Sequence, residues 1–242
     1  MPTVTAIIPI YKPSSAMLNK CLRCVLPQVD EVIVTREETG AVLPSNVFQH
    51  PKIRYVVTQA TGIGFGRNVN FGSRHATSDF LLHLNDDVYL APNAVEMMLA
   101  VAAKDVGIVG HLLLYPDGRI YHAGKIRNRD GTIGYEHLDY GQRAWTIIQP
   151  TEVENVCGAS MLVRREAFNH VGGYDPEYLF YGSDDDLCMK IRQAGWQIIY
   201  TPFAVGEHDF HKERDNAPFS WKMELRKSRR RFAEKWEEKF QS

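Results

Sequence analysis

The residues of this sequence best suited to chemistry are carboxylates gathered in short clusters. Leu84-Asn85-Asp86-Asp87-Val88 directly follows an apolar run, Phe80 to Leu84. Adjacent acids there repel one another, and a hard divalent cation relieves the repulsion. An ordinary Asn/Asp turn ending a strand has the same composition and needs no metal. The second cluster is Tyr181-Gly182-Ser183-Asp184-Asp185-Asp186-Leu187. Ser183 suits a helix N-cap, Asp186 completes a pattern like a capping box, and the helix dipole favours acids in a first turn. Three consecutive acids exceed what capping requires. They follow an aromatic turn, Tyr178 to Tyr181, able to wall a pocket, and an ionised acid there can act as general base on a hydroxyl.

Two further stretches bear on the same chemistry. In Glu207-His208-Asp209-Phe210-His211 an isolated histidine is more often structural than a ligand. His208 becomes a ligand candidate only if the fold brings it beside Asp87, where a mixed Asp and His set would suit Mn²⁺ or Mg²⁺. Thr61-Gly62-Ile63-Gly64-Phe65-Gly66-Arg67 offers glycines and a helix start to a phosphate, with the Arg67 fork for its oxygens. It fails as G-x-G-x-x-G, and no acid follows at dinucleotide spacing, so a nicotinamide or flavin cofactor is a poor fit.

These residues must be carried by alternating strands and helices. The pattern predicts strands at 4–10, 31–35, 53–57, 80–84 and 106–114, with helices at 14–26, 67–75 and 92–103. Such alternation implies a largely parallel sheet covered on both faces, with ligands at the carboxyl ends of its strands. Residues 115–150 read as hairpins and an exposed loop, and 153–164 as a strand running into a short helix. A helix at 184–194 closed by Gly195, short strands at 198–200 and 204–207, and a long helix at 218–240 complete the chain. The pattern predicts one continuous domain without repeats or linkers.

Composition narrows the class of protein. The chain has 242 residues, 44% hydrophobic and 24% charged, which suits a globular protein with one sizeable core. Lys plus Arg is 28 against 29 Asp plus Glu, so a net charge of −1 excludes global attraction to nucleic acid or membrane. No apolar run approaches the roughly 18 residues of a membrane span, and the first residues have no basic region or cleavage site of a secretory leader. Cys21 and Cys24 have no second pair at zinc spacing, which favours core thiols in a reducing, cytoplasmic setting.

Taken in order, several pieces resemble family-2 glycosyltransferases, particularly the rhamnosyltransferase-like branch. They are Ile7-Ile8-Pro9-Ile10-Tyr11, Gly64-Phe65-Gly66-Arg67 with Asn70-Phe71-Gly72, Leu84-Asn85-Asp86-Asp87, Tyr115-Pro116-Asp117-Gly118, and Gly158 to Arg165. The most specific stretch runs from Gly172-Gly173-Tyr174-Asp175 through Ser183-Asp184-Asp185-Asp186-Leu187 to Gly195-Trp196, then Pro202 and His208. The resemblance implies an α/β, Rossmann-like GT-A domain with a mostly parallel central sheet over residues 1–215. It implies donor contacts at Pro9, Tyr11, Arg67, Asn70 and Asp86, with Mn²⁺ or Mg²⁺ held by Asp87 and His208. It makes Asp184 the base, with Tyr181, Ser183 and Asp185 toward the acceptor. The sequence departs from the family at Asn85, where the first Asp of D-x-D usually stands, and at Ser183, usually Glu. It departs also at Thr35, where an acid reads the nucleotide base; Glu37 is the nearby candidate to replace it.

The implied reaction is metal-dependent, inverting transfer from a nucleotide-sugar, UDP- or dTDP-linked, to a hydroxyl on a glycan, a lipid-linked sugar or another macromolecule, modified DNA bases included. The C-terminal stretch, 216–242, is expected as an amphipathic basic helix packed on or extending from the domain. From Trp221 onward eight Lys and Arg face four Glu, while Trp221, Leu225, Phe232, Trp236 and Phe240 form an apolar stripe. Packing accounts for it; contact with a membrane surface or a polyanion such as DNA is the sharper reading. A polyanion-binding module on a transferase scaffold, and a metal-dependent nucleotidyl or phosphoryl transferase, are the alternatives to glycosyl transfer.

Overall fold

A computed structural model describes residues 1–11, 13–38, 46–59, 64–179, 181–210 and 219–241. The first half runs β1 (Val4–Ile10), α1 (Ser15–Val25), β2 (Glu31–Glu37), β3 (Ile53–Thr58), α2 (Gly64–Ser73), β4 (Phe80–Leu84), β5 (Val88–Leu90), α3 (Ala94–Leu99) and β6 (Val106–Leu114). The second half adds β7 (Ile120–His122), β8 (Lys125–Arg127), β9 (Tyr135–His137), β10 (Thr151–Glu152), β11 (Ser160–Arg164), α4 (Arg165–His170), α5 (Ser183–Gln193), β12 (Gln197–His208) and α6 (Phe219–Gln241).

The main sheet has the order β10-β12-β6-β11-β4-β1-β2-β3. β3, β2, β1 and β4 are mutually parallel, as are β6 and β12. β11 joins the two sets by pairing antiparallel to both β4 and β6. The expected mostly parallel α/β core is present, because continuous apolar strands bury side chains on both faces. Ala6, Ile8, Val32, Val34, Leu82 and Leu84 pack toward α1 and α3. The alternate residues Ile7, Ile33, Leu81, Met161 and Val163 pack toward α2, α4 and α5.

Three expectations about the second half change. The strand expected within 153–164 begins only at Ser160, and the helix follows at Arg165. The two strands expected at 198–200 and 204–207 are one, β12. Its register slips against β6 between Thr201 and Val205, so Pro202, which lacks an N–H, falls in the irregularity. Ser183 is the first residue of α5 and not its cap; Gly182, at φ +76°, occupies the cap position without a side-chain bond. Ser183 therefore does not act as the cap expected of it, and the Asp186 carboxylate is engaged by Trp236 and Lys235.

α6 packs on the domain through Phe232 and Trp236, which form a buried cluster with Tyr178 and Met189. The Trp236 indole N–H donates to Asp186 Oδ1 at 3.0 Å, and Lys235 Nζ lies 2.7 Å from the same oxygen. Arg231 and Lys235 also reach Asp175, at 3.1 and 2.9 Å. The Trp221 side chain lies outside the described residues, as do Thr61 to Ile63, Phe180 and His211. Among the described residues no helix is long and apolar enough to cross a membrane.

Candidate active site

The parallel strands β1 and β4 end at Ile10 and Leu84, so Tyr11 and Asn85-Asp86-Asp87 emerge together at the carboxyl edge. The three-residue strand β5 then carries the chain from Asp87 into antiparallel pairing with the end of β12, placing Val88 opposite His208. The Asp209 N–H donates to the Asp87 carbonyl at 2.9 Å, extending that pairing by one step. Residues 121 positions apart in sequence are thereby set side by side: Asp87 Oδ1 lies 3.2 Å from His208 Nε2. The imidazole is almost wholly buried, with the Tyr121 ring edge-on at 4.4 Å and Phe210 at 5.4 Å between centroids.

Among the described residues, Asp87 Oδ1 and both His208 nitrogens are buried without a hydrogen-bond partner beyond the approach of Oδ1 and Nε2 to each other. Leaving three such atoms unbonded is costly unless something else binds them. Neighbouring ligands on an octahedral cation with bonds of about 2.1 Å stand about 3 Å apart, close to the observed spacing. An imidazole and a carboxylate suit Mn²⁺ or Mg²⁺ with water completing the shell. The pair therefore fits such an ion. Asp86 beside it is pushed up to about 7, by burial first and by the charge of Asp87 second.

Both acids open on a cavity of about 890 Å³. Asp184 and Asp185, at the start of α5, line the same cavity, as do Tyr11 and Tyr181. The Asp184 carboxylate accepts the Gly158 N–H at 3.1 Å, a close approach: a Cβ on Gly158 would lie 3.0 Å from Asp184 Cβ. Lys125 Nζ, 3.4 Å from Asp184 Oδ2, donates to Asp185 Oδ1 at 2.8 Å, and the Asn155 amide donates to that oxygen at 3.0 Å. Burial alone would raise Asp184; the Lys125 charge and the Gly158 N–H outweigh it and leave Asp184 below the usual carboxylate value. Burial dominates at Asp185, which is raised. Sequence reasoning missed Lys125 and Asn155. Each stands in an irregular or very short element, where no periodicity marks a residue as inward-facing.

The remaining expected site residues sit away from the cavity lining. Pro9 pairs with Thr35 inside the sheet. Glu37, two residues beyond Thr35 on the same strand face, is buried near the Asn68 amide, 3.5 Å away. Arg67 and Asn70, expected as donor contacts, do not line the cavity and make contacts within the chain. Arg67 Nε donates to the Pro176 carbonyl at 2.6 Å, and Asn70 brackets Tyr174 by donating to its carbonyl at 2.8 Å and accepting its N–H at 2.9 Å. Of the glycine-rich stretch expected to offer N–H groups to a phosphate, Thr61 to Ile63 lie outside the described residues, and the Phe65 N–H donates to the Leu179 carbonyl at 2.8 Å. These contacts position the turn that precedes α5. Ser183 is buried at the head of α5 beside Asp184.

Residues 5–172 match the sequence pattern of glycosyl transferase family 2. The chain belongs to that family. Residues 137–213 also match a pattern described as the N-terminal domain of galactosyltransferase. An N-acetylglucosaminyl-diphospho-decaprenol L-rhamnosyltransferase of Mycobacterium tuberculosis (strain ATCC 25618 / H37Rv) is 29% identical over 210 residues, covering 76% of this chain and 67% of that protein. Other curated relatives are much longer: the chain spans 18%, 17% and 42% of the length of three of them. GalNAc-T7, solved with UDP, GalNAc and Mn²⁺, superposes with a TM-score of 0.68 at 15% identity, over 86% of this chain and 44% of that one. The mannosyltransferase PcManGT of Pyrobaculum calidifontis, solved with GDP-Man and Mn²⁺, gives 0.61 at 19%, over 92% and 60%. At those identities the likeness is one of fold, and this family-2 chain shares the GT-A fold of both.

Proposed function

We propose that this family-2 chain transfers a sugar, with inversion, from a nucleoside-diphosphate sugar to an acceptor hydroxyl. The observation that carries the reading is the convergence on one cavity of the Asp86–Asp87 pair, with orphaned His208 beside it, and the ionised Asp184. Tyr11 and Asp86 hold the nucleotide, with UDP or dTDP the expected carriers, and Asp87 and His208 hold Mn²⁺ or Mg²⁺. The ion supplies charge neutralisation at the departing diphosphate. Asp184 takes the proton of the acceptor hydroxyl while that oxygen bonds to the anomeric carbon from the face opposite the diphosphate. The bond from that carbon to the diphosphate oxygen breaks, and its electron pair leaves with the diphosphate. Fixing donor and acceptor in one frame removes much of the remaining barrier.

The acceptor side is walled by α6, through Leu225, Ser228, Arg229 and Phe232, and by the β8–β9 hairpin, with Tyr181 and Asp185 at the base. The M. tuberculosis relative is named for a lipid-linked sugar, N-acetylglucosaminyl-diphospho-decaprenol. A glycan or lipid-linked sugar is accordingly the expected acceptor here, reached from the cytoplasm at a membrane surface. A polyanion groove along α6 is less favoured, because Lys227, Arg230, Arg231 and Lys235 already face carboxylates of the chain.

The test is a panel of UDP-, dTDP- and GDP-sugars with Mn²⁺, following donor hydrolysis and the anomer first released by NMR. Metal-dependent hydrolysis of one donor class with inversion, lost in Asp184→Asn while nucleotide binding persists, is the expected result. Retention of configuration, or wild-type turnover in Asp184→Asn, would remove Asp184 as base.

A further inference from the structure

Lys125 is buried, 5% exposed, at a site where an ammonium needs a strong reason to be. Its backbone is held as firmly as its side chain. The Lys125 N–H donates to the Asn155 carbonyl at 2.9 Å, and its carbonyl accepts the N–H groups of Glu154 and Asn155, both at 3.2 Å. Just before it, Gly124, at φ +93°, donates its N–H to His122 Nε2 at 3.3 Å, and the same nitrogen accepts the Cys157 N–H at 3.2 Å. One buried imidazole thus ties the strand carrying Lys125 to the segment whose Gly158 N–H binds Asp184. Burial keeps that imidazole neutral, so it anchors both without adding charge.

We propose that Lys125 is a positioning residue for the transfer reaction: bonded to both carboxylates, its ammonium fixes the direction of Asp184 and keeps it in the proton-accepting form. The inference rests on Asp184 as base. The Lys125 and Gly158 bonds to Asp184 both fall on Oδ2, so neither occupies Oδ1. Asp185 Oδ1, itself held by the Asn155 amide, accepts from the ammonium as well, so the place of Lys125 does not depend on Asp184 alone. One ammonium beside two carboxylates leaves a net negative charge, and the arrangement puts the destabilised member at Asp185. Other titratable groups that feel the charge of Asp184 include Cys157 before β11, Tyr174 in the turn before α5, and Cys188 within α5, while Tyr135, His137, Tyr181 and Arg229 line the same cavity. Burial first, then the charge of Asp184, pushes Cys157 up to about 11 and Tyr174 upward; burial also raises Cys188. All three stay neutral near pH 7 and leave Lys125 as the cation acting on the base.

The experiment uses the full chain, labelled with ¹³C at the aspartate carboxyl groups, with the Asp184 resonance assigned from Asp184→Asn. It is titrated in wild type, Lys125→Met, Lys125→Arg and Asp185→Asn, and donor hydrolysis is followed over the same pH range. Loss of an opposite charge at contact distance moves a carboxylate titration by about one to three pH units. Lys125→Met should therefore move the Asp184 titration, and the acid limb of kcat, upward by at least about one pH unit, with activity recovering as pH rises. Lys125→Arg should keep the wild-type limb, and Asp185→Asn should move it the opposite way, downward. A merely structural lysine would cost activity equally at every pH. Should Lys125→Met fail to fold, the Lys125→Arg and Asp185→Asn titrations decide. Asp184 titrating as in wild type in Lys125→Met, or rising in Asp185→Asn, overturns the proposal. If wild type hydrolyses no donor, the functional reading fails while the carboxylate titration still decides the role of Lys125.

Discussion

Replacing Asp175 by Asn removes one negative charge and almost no volume from the contact that docks α6. In the folded chain burial alone would raise the Asp175 carboxyl. Lys235, the Glu177 N–H and Arg231 outweigh burial and hold it at about 2, against an ordinary value of 3.8. A tenfold change in proton affinity corresponds to about 1.4 kcal/mol, so holding the carboxyl that low is worth about 2.4 kcal/mol. Asp175 is 12% exposed, but Arg231 and Lys235 are 41% and 31% exposed. Solvent screening at the cations reduces the expected loss to about 1–2 kcal/mol, which lowers Tm by about 2–8 °C for a chain of this size. The sign with pH follows from a depressed pKa. The stabilisation is complete above the unfolded value, near pH 4 to 5, and is lost as pH falls toward 2. Urea unfolding of wild type and Asp175→Asn at pH 7, 5 and 3 measures this. Their difference should be nearly equal at pH 7 and 5 and shrink at pH 3. Glu234→Gln, which breaks an exposed pair with Arg230, should change little at any pH. An Asp175→Asn difference that is absent at pH 7, or as large at pH 3 as at pH 7, refutes the argument.

Mn²⁺ at a hundredfold excess over its dissociation constant should stabilise the protein by about 2.7 kcal/mol, or about 5–10 °C in a thermal melt. Asp87→Asn and His208→Gln should each remove most of that gain, and gains equal to wild type in both would sink the metal pair. Gly64→Ala should destabilise by more than about 2 kcal/mol, because its Cβ would sit 2.1 Å from the Leu179 carbonyl oxygen at φ +74°. Gly131→Ala, at φ +78° with nothing within 4 Å, carries the backbone cost alone, about 1 kcal/mol. Equal urea midpoints for the two variants would contradict the close approach.

The donor half of the molecule was legible because its signals are local. Val4 to Ile10 and Phe80 to Leu84 are continuous apolar runs and occur as strands over the expected residues. The acids that follow β4 could be placed at the sheet edge from that fact alone. The glycine-rich surroundings of Arg67 read as a phosphate loop, and part of that stretch serves packing. Gly64 and Gly66 instead admit Leu179 and Tyr174, whose atoms would lie 2.1 and 2.9 Å from an added Cβ. The meeting of Asp87 with His208 depends on β5, three residues long, pairing across the molecule. Such pairing leaves no period in the sequence, and only the family resemblance pointed to it. Lys125 was invisible for a related reason: a lone lysine in a Gly- and Tyr-rich stretch reads as solvated surface, and its partners are 59 and 60 residues away.

The three acids of Asp184-Asp185-Asp186 illustrate how a cluster that exceeds capping needs is resolved. Successive residues of a helix point about 100° apart, so the three carboxylates at the head of α5 reach largely different partners, with Lys125 bridging Asp184 and Asp185. Asp184 turns to the cavity and the Gly158 N–H, Asp185 to Lys125 and Asn155, and Asp186 inward to Trp236 and Lys235. Asp186 is fully buried, and among the described residues its second oxygen has no hydrogen-bond partner, with Lys190 4.0 Å away. Without α6 that carboxylate would be a buried charge lacking its closest donors, a state costing several kcal/mol. The docking of α6 is therefore tied to the same helical turn that presents the proposed base. The helix that walls one side of the cavity and the proposed base are held in register by adjacent residues of one chain segment. A basic, amphipathic C-terminus read in isolation suggests a membrane or a polyanion; in the fold, Arg231 and Lys235 pair with Asp175 and Asp186, the Trp236 indole N–H donates to Asp186, and Leu225, Ser228, Arg229 and Phe232 face the cavity.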